Sequence, residues 1–318
     1  MATPDLSIIV ISYNTREMTL ACLASVFEET KTPFELIVVD NASTDGSAEA
    51  IAATYPDIKL LAESTNHGFA PAHEVALEHA TAPWLLLLNP DTVVLDGALD
   101  KLLAHARATP EAGIWGGRTL YGDKTLNPTS CWGRMTPFSL ISRLFFLSKL
   151  FPRSEWLNSE EIGQWARDTA REVDIVTGCL FLMRRTDWDM LGGFDPAFIM
   201  YGEEADLCLR ARAKGMRPRI TPDATIVHYG GASETVRADK LVRLMRAKIE
   251  LVNRHFSPTT RMAGRISLGL WPLSRALMWR LVAISGRAVA RGKAQTWSEV
   301  WARRDEWKTG YSSYLDNS

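Results

Sequence analysis

The opening residues Leu6-Ser-Ile-Ile-Val-Ile-Ser-Tyr-Asn14 form an apolar run without alternation. A strand open to water on one side would alternate with period two, so an unbroken run fits a strand buried on both faces. Apolar positions then recur at helical spacing through Leu20, Leu23, Val26 and Phe27. Phe34-Glu-Leu-Ile-Val-Val-Asp40 repeats the buried-strand pattern and ends in Asp40-Asn-Ala-Ser-Thr-Asp-Gly-Ser47. Asp, Asn, Ser and Gly there predict a turn and a helix N-cap. Ile58-Lys-Leu-Leu61 predicts a third, shorter strand, followed by Asn66-His-Gly-Phe-Ala70 and a helix through His79. Trp84-Leu-Leu-Leu-Leu88 is a fourth, stopped by Asn89-Pro-Asp91. Strands alternating with helices in this way predict an α/β fold with a parallel sheet. Ligands of such sheets lie beyond the carboxyl ends of the strands, where Tyr13, Asp40 and Asp91 fall.

The densest chemistry lies further along. Glu203, Glu204 and Asp206 occupy four residues, just after Gly192-Gly-Phe-Asp-Pro196. Leu207, Leu209 and Arg210 continue a helix whose first turn holds these acids. Carboxylates this close repel one another, so partial burial should raise at least one pKa. Such a group suits a general base or a metal shell. The plainer alternative is that acids in a first turn only complement the helix dipole. His228 follows the short strand Ala224-Thr-Ile-Val227 and precedes Gly230-Gly231, where backbone can approach a ligand closely. Standing alone, His228 reads equally as a structural histidine, Asp40 as a turn cap and Asn89-Pro-Asp91 as an ordinary turn. His67, His73, His79, His105 and His255 show no metal-ligand spacing. No Gly-x-Gly-x-x-Gly follows the first strand, which argues against a dinucleotide-binding enzyme.

In order, Val10 to Asn14, Val39 to Ser47, Asn66 to Ala70, Asn89 to Asp91, Thr177-Gly178, Gly192 to Arg210 and His228 to Gly231 resemble the family 2 inverting glycosyltransferases. These have the GT-A fold, and the likeness is closest to the bacterial rhamnosyltransferase-like branch. The resemblance spans residues 6–235. It implies a GT-A-like, Rossmann-related mixed sheet flanked by helices. It also implies a nucleoside diphosphate sugar donor, dTDP- or UDP-linked with dTDP-rhamnose first, a divalent metal (Mg²⁺ or Mn²⁺), and inverting transfer to an acceptor hydroxyl. By the same resemblance Ser12, Tyr13, Asn14, Asp40, Asn41, Asn66, Gly68, Asn89 and Asp91 face the nucleotide sugar. Asp91 and His228 are the metal contacts. Matching Glu203-Glu204-Ala-Asp206 to the family's Glu-Asp-x-Asp puts the base at Glu204, with Glu203 and Asp206 beside it. Two departures stand out: the metal motif has one acid where a pair is commoner, and Glu74 and Ala76 replace a usual Asn and Gly.

Charge divides the chain of 318 residues. Residues 236–318 hold sixteen Lys and Arg against six acids, and the remainder twenty against thirty-one. The basic part is rich in Trp (Trp271, Trp279, Trp297, Trp301, Trp307). Residues 266–284 are apolar enough to suggest a membrane span. Pro272 interrupts them, however, and Arg275 and Arg280 each cost roughly 2.5–3.5 kcal/mol on insertion scales. An interfacial amphipathic helix is therefore expected, with Pro137 to Phe151 as a second such segment. An anionic cytoplasmic membrane surface, where a glycan or lipid-linked acceptor would be met, is the expected partner. Packing on the protein or in a homo-oligomer is the other use of such helices, and nucleic acid is not expected, since no binding motif accompanies the charge. Cys22, Cys131, Cys179 and Cys208 are far apart and read as reduced core thiols. With a strand starting by Leu6, no secretory leader is expected.

The expected organisation is a catalytic span over 1–235, with a nucleotide half at 1–97 and an acceptor half at 98–235. A basic helical extension follows over 236–318. A catalytically silent nucleotide-sugar-binding scaffold is the alternative of another class. A nucleotidyltransferase would need a Gly-rich phosphate loop that Ser12 to Arg16 lacks.

Overall fold

All seven positions of β1 (Leu6–Ser12) are buried, the condition that its non-alternating composition requires. In this computed structural model, which describes residues 3–230, 237–284 and 286–311, β1 pairs in parallel with β2 (Phe34–Asp40) from Leu6↔Phe34 to Ser12↔Asp40. β3 (Lys59–Ala62) extends β2, and β4 (Trp84–Leu88) pairs on the other side of β1, both in parallel. Helices α1 (Arg16–Glu29), α2 (Ser47–Thr54) and α3 (Phe69–Leu77) make the crossovers.

Beyond β4 the sheet becomes mixed. Its further strands are β5 (Thr92–Val94), β6 (Ile114–Leu120), β7 (Leu126–Asn127), β9 (Arg171–Glu172), β11 (Leu180–Arg184) and β12 (Arg219–His228). The pair β8 (Cys131–Trp132) and β10 (Ile175–Val176) forms a separate ribbon. Among the described residues the main order is β3-β2-β1-β4-β11-β6-β12-β5. β11 is antiparallel to β4 and β6, while β12 is parallel to β6. Two reversals cancel, so β12 runs in the direction of β4 and its carboxyl end reaches the same sheet edge. On one face Ile8, Val10, Val38 and Leu86 pack with Leu23 and Val26 of α1 and with Leu99 and Leu102 of α4 (Ala98–Ala108). Ile9, Ile37, Val39 and Leu87 alternate with them and are also buried, so both faces are covered.

β6 and β12 approach each other closely at Gly117. A Cβ there would lie 2.1 Å from the Ala224 carbonyl oxygen and 2.7 Å from Leu180. The register of β12 on β6 shifts beside it, between Thr221 and Thr225. Only glycine fits that spacing.

Two units are distinguishable. The first comprises 1–132, 166–199 and 203–233; the second comprises 133–165, 200–202 and 234–318. Segment 133–165, which the sequence reading counts within 1–235, thus clusters with the C-terminal helices. The second unit contains α5 (Pro137–Leu144) and α6 (Leu147–Leu150), while α7 (Arg185–Leu191) and α8 (Glu203–Ala213) belong to the first. The C-terminal helices are α9 (Arg237–His255), α10 (Pro258–Ala283) and α11 (Ala288–Ala302). Leu140, Val242, Met245, Ile249, Val252, Leu268, Val300 and Trp307 form the core of the second unit.

α5 begins with a capping box: Thr136 Oγ1 accepts from Ser139 N at 3.0 Å, and Ser139 Oγ accepts from Thr136 N at 2.9 Å. Glu160 is buried beside it. Ser139 Oγ donates to Glu160 at 3.0 Å, with Arg143 at 3.2 Å and Lys248 at 3.6 Å. Burial alone would raise this carboxyl, but the two cations hold it below its ordinary value. Arg275 points inward, its guanidinium carbon 3.8 Å from the centre of the Phe146 ring and Nη2 donating to Arg143 O at 2.5 Å. Among the described residues no helix is long and apolar enough to cross a membrane.

His73 of α3 is sealed in the first unit, its Nδ1 2.8 Å from Phe69 O and its ring between Phe69 and Phe194. Burial lowers its pKa from 6.5 to about 4. A depressed folded-state pKa contributes stability that is complete above 6.5 and lost as pH falls through about 4. His73→Gln is therefore expected to flatten the fall in melting temperature between pH 7 and 5 relative to the wild type. Parallel melting curves across that range would contradict the assignment.

Candidate active site

The sheet edge is assembled by pairing after the fourth strand. β4 stops at Asn89-Pro90-Asp91, because proline removes a ladder donor, and β5 then runs antiparallel to β12 with Thr92 opposite His228. That register brings Asp91 to the two residues after β12. Tyr229 N donates to Asp91 O at 3.0 Å, and Gly230 N to Asp91 Oδ2 at 2.9 Å. Gly230 adopts φ +68°, a left-handed conformation that glycine takes without strain. The other carboxylate oxygen, Oδ1, lies 3.3 Å from His228 Nε2, with Asn89 Nδ2 at 3.5 Å from the same nitrogen.

Asp91 and His228 are both largely buried, and their charges are coupled. Burial disfavours the protonated imidazole, yet neighbouring Cys179 and Asp91 outweigh it and raise His228 from 6.5 to about 10. Burial likewise works against the Asp91 carboxylate, but His228 and the Gly230 amide hold it below its ordinary value. At neutral pH the two form an imidazolium–carboxylate pair. Once deprotonated, the imidazole and carboxylate make a donor pair suited to a hard or borderline divalent cation. Among the described residues no three His, Cys, Asp or Glu side chains cluster around one point. Among the described residues the structure therefore brings together one imidazole and one carboxylate here.

On the other side of the edge Asp40 closes β2. Its Oδ1 accepts from Ser43 N at 2.9 Å, while Oδ2 is buried without a hydrogen-bond partner among the described residues. A buried carboxylate oxygen left open is costly, and a donor brought by another molecule would relieve it. Tyr13 is exposed beside it in sequence. The other residues that sequence reading placed here have their polar groups engaged. Ser12 is fully buried and bonds Thr19 at 3.0 Å. Asn14 accepts from Thr44 N at 2.8 Å, and its own N–H donates to Ser43 Oγ at 2.9 Å. Asn41 donates to Asn66 Oδ1 and Gly68 O and accepts from His67 N. Asn66 Oδ1 also accepts from Gly68 N at 2.8 Å. These asparagines hold the turns that carry Asp40 and Gly68.

The acids of α8 separate by environment. Glu203 is buried with Oε2 unpartnered among the described residues, and burial followed by the charge of Glu204 raises its pKa well above 4.5. Glu204 is only half-buried. Asp206 is buried against Arg210, whose Nε donates to it at 2.7 Å; Nη1 and Nη2 donate to Leu191 O and Gly193 O at 2.6 and 2.7 Å. Asp206 therefore anchors the helix to the Gly192-Gly193 turn, both glycines lying at positive φ. Cys208 is tied to Val176 by the Val176 N–H at 3.5 Å. Three residues on, Cys179 O accepts from Asn89 N at 3.2 Å. The acid helix and the Asp91 turn are thus fastened to one short segment.

Sequence reading counted Cys179 only as a core thiol, and Tyr229 only as part of the His228 to Gly231 motif, not as site residues. Tyr229 is half-exposed, and its ring lies where a Cβ on Gly122 would fall, 2.7 Å from Cε1. Adjacency to His228 was the one signal available for Tyr229. An open depression of about 570 Å³ lined by Arg16, Ser43, Thr44, Gly46, Glu49 and Ala50 was likewise not foreseen.

A family model described as glycosyl transferase family 2 matches residues 7–189. The N-acetylglucosaminyl-diphospho-decaprenol L-rhamnosyltransferase of Mycobacterium tuberculosis (strain ATCC 25618 / H37Rv) is 27% identical over 239 residues, covering 71% of this chain and 76% of that protein. The O-antigen biosynthesis protein RfbC of Myxococcus xanthus is 30% identical over 249 residues, which are 75% of this chain and 18% of that longer protein. The mannosyltransferase PcManGT from Pyrobaculum calidifontis, solved with GDP-Man and Mn²⁺, superposes with a TM-score of 0.59 at 19% identity, covering 96% of this chain and 88% of that one. That likeness shows the GT-A-like fold.

Because the folded pKa of Glu203 is raised, the stability this side chain contributes is complete below about 4.5 and is lost as pH rises through the folded value. Glu203→Gln keeps the shape without the charge. Its melting temperature is expected to gain on the wild type as pH is raised from 5 to 8, and a constant difference would show that Glu203 is already ionised throughout.

Proposed function

The chain belongs to glycosyl transferase family 2, and we propose that it moves L-rhamnose from a dTDP- or UDP-linked donor to a hydroxyl of a glycan or lipid-linked acceptor, inverting the anomeric carbon. The observation that carries this reading is the convergence of Asp91, His228 and the Gly230 amide at the carboxyl edge of the sheet, where α/β sheets bind ligands. The rhamnosyltransferase from Mycobacterium tuberculosis supports the sugar and the lipid-linked acceptor, and RfbC supports polysaccharide assembly.

Asp40 receives the nucleoside: its open Oδ2 accepts a donor from the base or ribose, with Tyr13 beside it. The diphosphate lies toward Asp91. Asp91 and His228 would hold a divalent cation there, Mg²⁺ or Mn²⁺, which supplies charge neutralisation to the leaving diphosphate. The Mn²⁺ of the mannosyltransferase complex supports a metal of this kind. Glu204 removes the acceptor hydroxyl proton as the acceptor oxygen bonds to the anomeric carbon. The bond from that carbon to the diphosphate oxygen breaks on the opposite side, and the nucleoside diphosphate leaves with the electron pair. Burial and the charge of Glu204 push Glu203 above the ordinary carboxyl range, which favours Glu204 as the ionised member of the pair. Asp206 positions the helix through Arg210. The catalytic span is 1–235, with 1–97 holding the nucleotide. The enzyme works at the inner face of the cytoplasmic membrane, where lipid-linked acceptors are met.

Asp91→Ala is expected to abolish metal-dependent binding of the nucleoside diphosphate in calorimetry, and Asp40→Ala to weaken nucleoside binding even without metal. Unchanged metal-dependent binding in the Asp91 variant would remove Asp91 from the site. Glu204→Gln should lower kcat by about 10²–10⁴-fold, the usual worth of a general base, with donor binding nearly intact. Near-normal turnover of Glu204→Gln, alongside an inactive Asp206→Asn or Glu203→Gln, would move the base elsewhere.

A further inference from the structure

α10 is apolar on two opposite faces. Inward it buries Gly264, Ser267, Leu268, Pro272, Arg275 and Ala276. Outward it exposes Met262 (65%), Ile266 (54%), Leu270 (41%), Leu277 (51%), Leu281 (70%) and Ile284 (82%). At about 100° per residue these six fall within an arc of about 100°, and from 262 to 284 they run for about 33 Å. The water-facing side of a helix in a soluble domain is ordinarily polar. Pro272 and Arg275, which interrupt the apolar run in sequence, are both on the inward side; the third interruption, Arg280, is exposed and falls at one edge of the outward stripe, where a long side chain can reach from the apolar layer to the headgroups.

The α5–α6 segment adds a second group on the same unit. Phe138 and Trp156 stack at 4.4 Å and remain exposed with Phe145, Leu150 and Phe151. Exposed apolar surface of this extent marks an interaction site.

Charge identifies the occupant. α10 contains no acidic residue, nor does the stretch from Lys124 to Ser154. The cations near the apolar groups, Lys149, Arg153, Arg280, Arg287 and Arg291, are exposed. A second copy of the chain laid on this face would bring the same cations against them, whereas an anionic bilayer complements them. We infer that the outward face of α10, with the aromatic group of α5 and α6, lies in the headgroup region of an anionic membrane, the helix parallel to its plane. The purpose of this docking, bringing the enzyme to a lipid-linked acceptor, rests on the function proposed above. The face itself rests on exposure and charge.

The test is flotation of the full chain with phosphatidylglycerol-containing vesicles and with phosphatidylcholine vesicles, at low and high salt. Association with the anionic vesicles at low salt, reversed by salt, is expected. Leu277→Glu combined with Leu281→Glu should weaken it by about tenfold or more with an unchanged melting temperature, since both side chains point to solvent. Arg287→Gln combined with Arg291→Gln should reduce the preference for anionic lipid. In the Leu277/Leu281 variant, transfer to a soluble short-chain acceptor should be retained while transfer to a polyisoprenyl acceptor in vesicles falls. No flotation at low salt, or equal flotation of the stripe variant, overturns the inference. So does a dimer in light scattering that the stripe variant converts to a monomer without any vesicle binding, which gives the face to a second copy. Vesicle association without rhamnosyl transfer would overturn the proposed donor and leave the membrane face standing.

Discussion

The site depends on how one residue is gripped. Asp91 is held through its main-chain carbonyl by the Tyr229 amide and through its carboxylate by the Gly230 amide and His228. All three partners come from the end of one strand, and β5, only three residues long, forces the meeting by pairing with that strand. A carboxylate oriented by backbone amides has little freedom left to lose when a ligand arrives. Preorganisation of this kind is where binding and catalytic sites gain most.

Burial and neighbouring charge shift the protonation of two groups in this unit. His228, supported by Cys179 and Asp91, carries a proton that burial alone would remove. Glu203, buried with the charge of Glu204 beside it, is pushed well above the ordinary carboxyl range. Glu204 differs from Glu203 mainly in its access to solvent. Two adjacent residues of one type thus differ in exposure after one helical step, because successive side chains point about 100° apart. Cys208, pushed up to about 12 by burial, stays a thiol and serves to pin the helix.

β1, β2 and β4 were legible because burial on both faces removes alternation, and that is a local property of composition; β3, half-exposed, was legible from its apolar residues and spacing. The strand order after β4 was not. β11, with its run Leu180-Phe-Leu-Met183, inserts between β4 and β6, a choice made by packing over long sequence separations that no local pattern records. Asp91 and His228 could each be named from the residues around them, but their contact depends on the β5–β12 register. The asparagines show the converse. Asn41 and Asn66 stood out in the sequence through the resemblance alone, and the structure adds what no local pattern shows: their amides hold one another and the backbone of residues 67 and 68. The inward turn of Arg275 also lay beyond sequence, since it requires Phe146 and the Arg143 carbonyl from a distant segment.

Gly117 makes the sheet a lever. Its missing side chain lets β12 lie close to β6 at Ala224, four residues before His228. From Ala224 to His228 is about 13 Å of extended chain, stiffened by hydrogen bonds on both sides. A close-packed interior transmits displacement instead of absorbing it. A single methyl group at position 117 would therefore push on β12 near its middle and move the imidazole at its tip relative to Asp91. The spacing of Asp91 and His228 is set in part by an atom that is absent, buried between two strands.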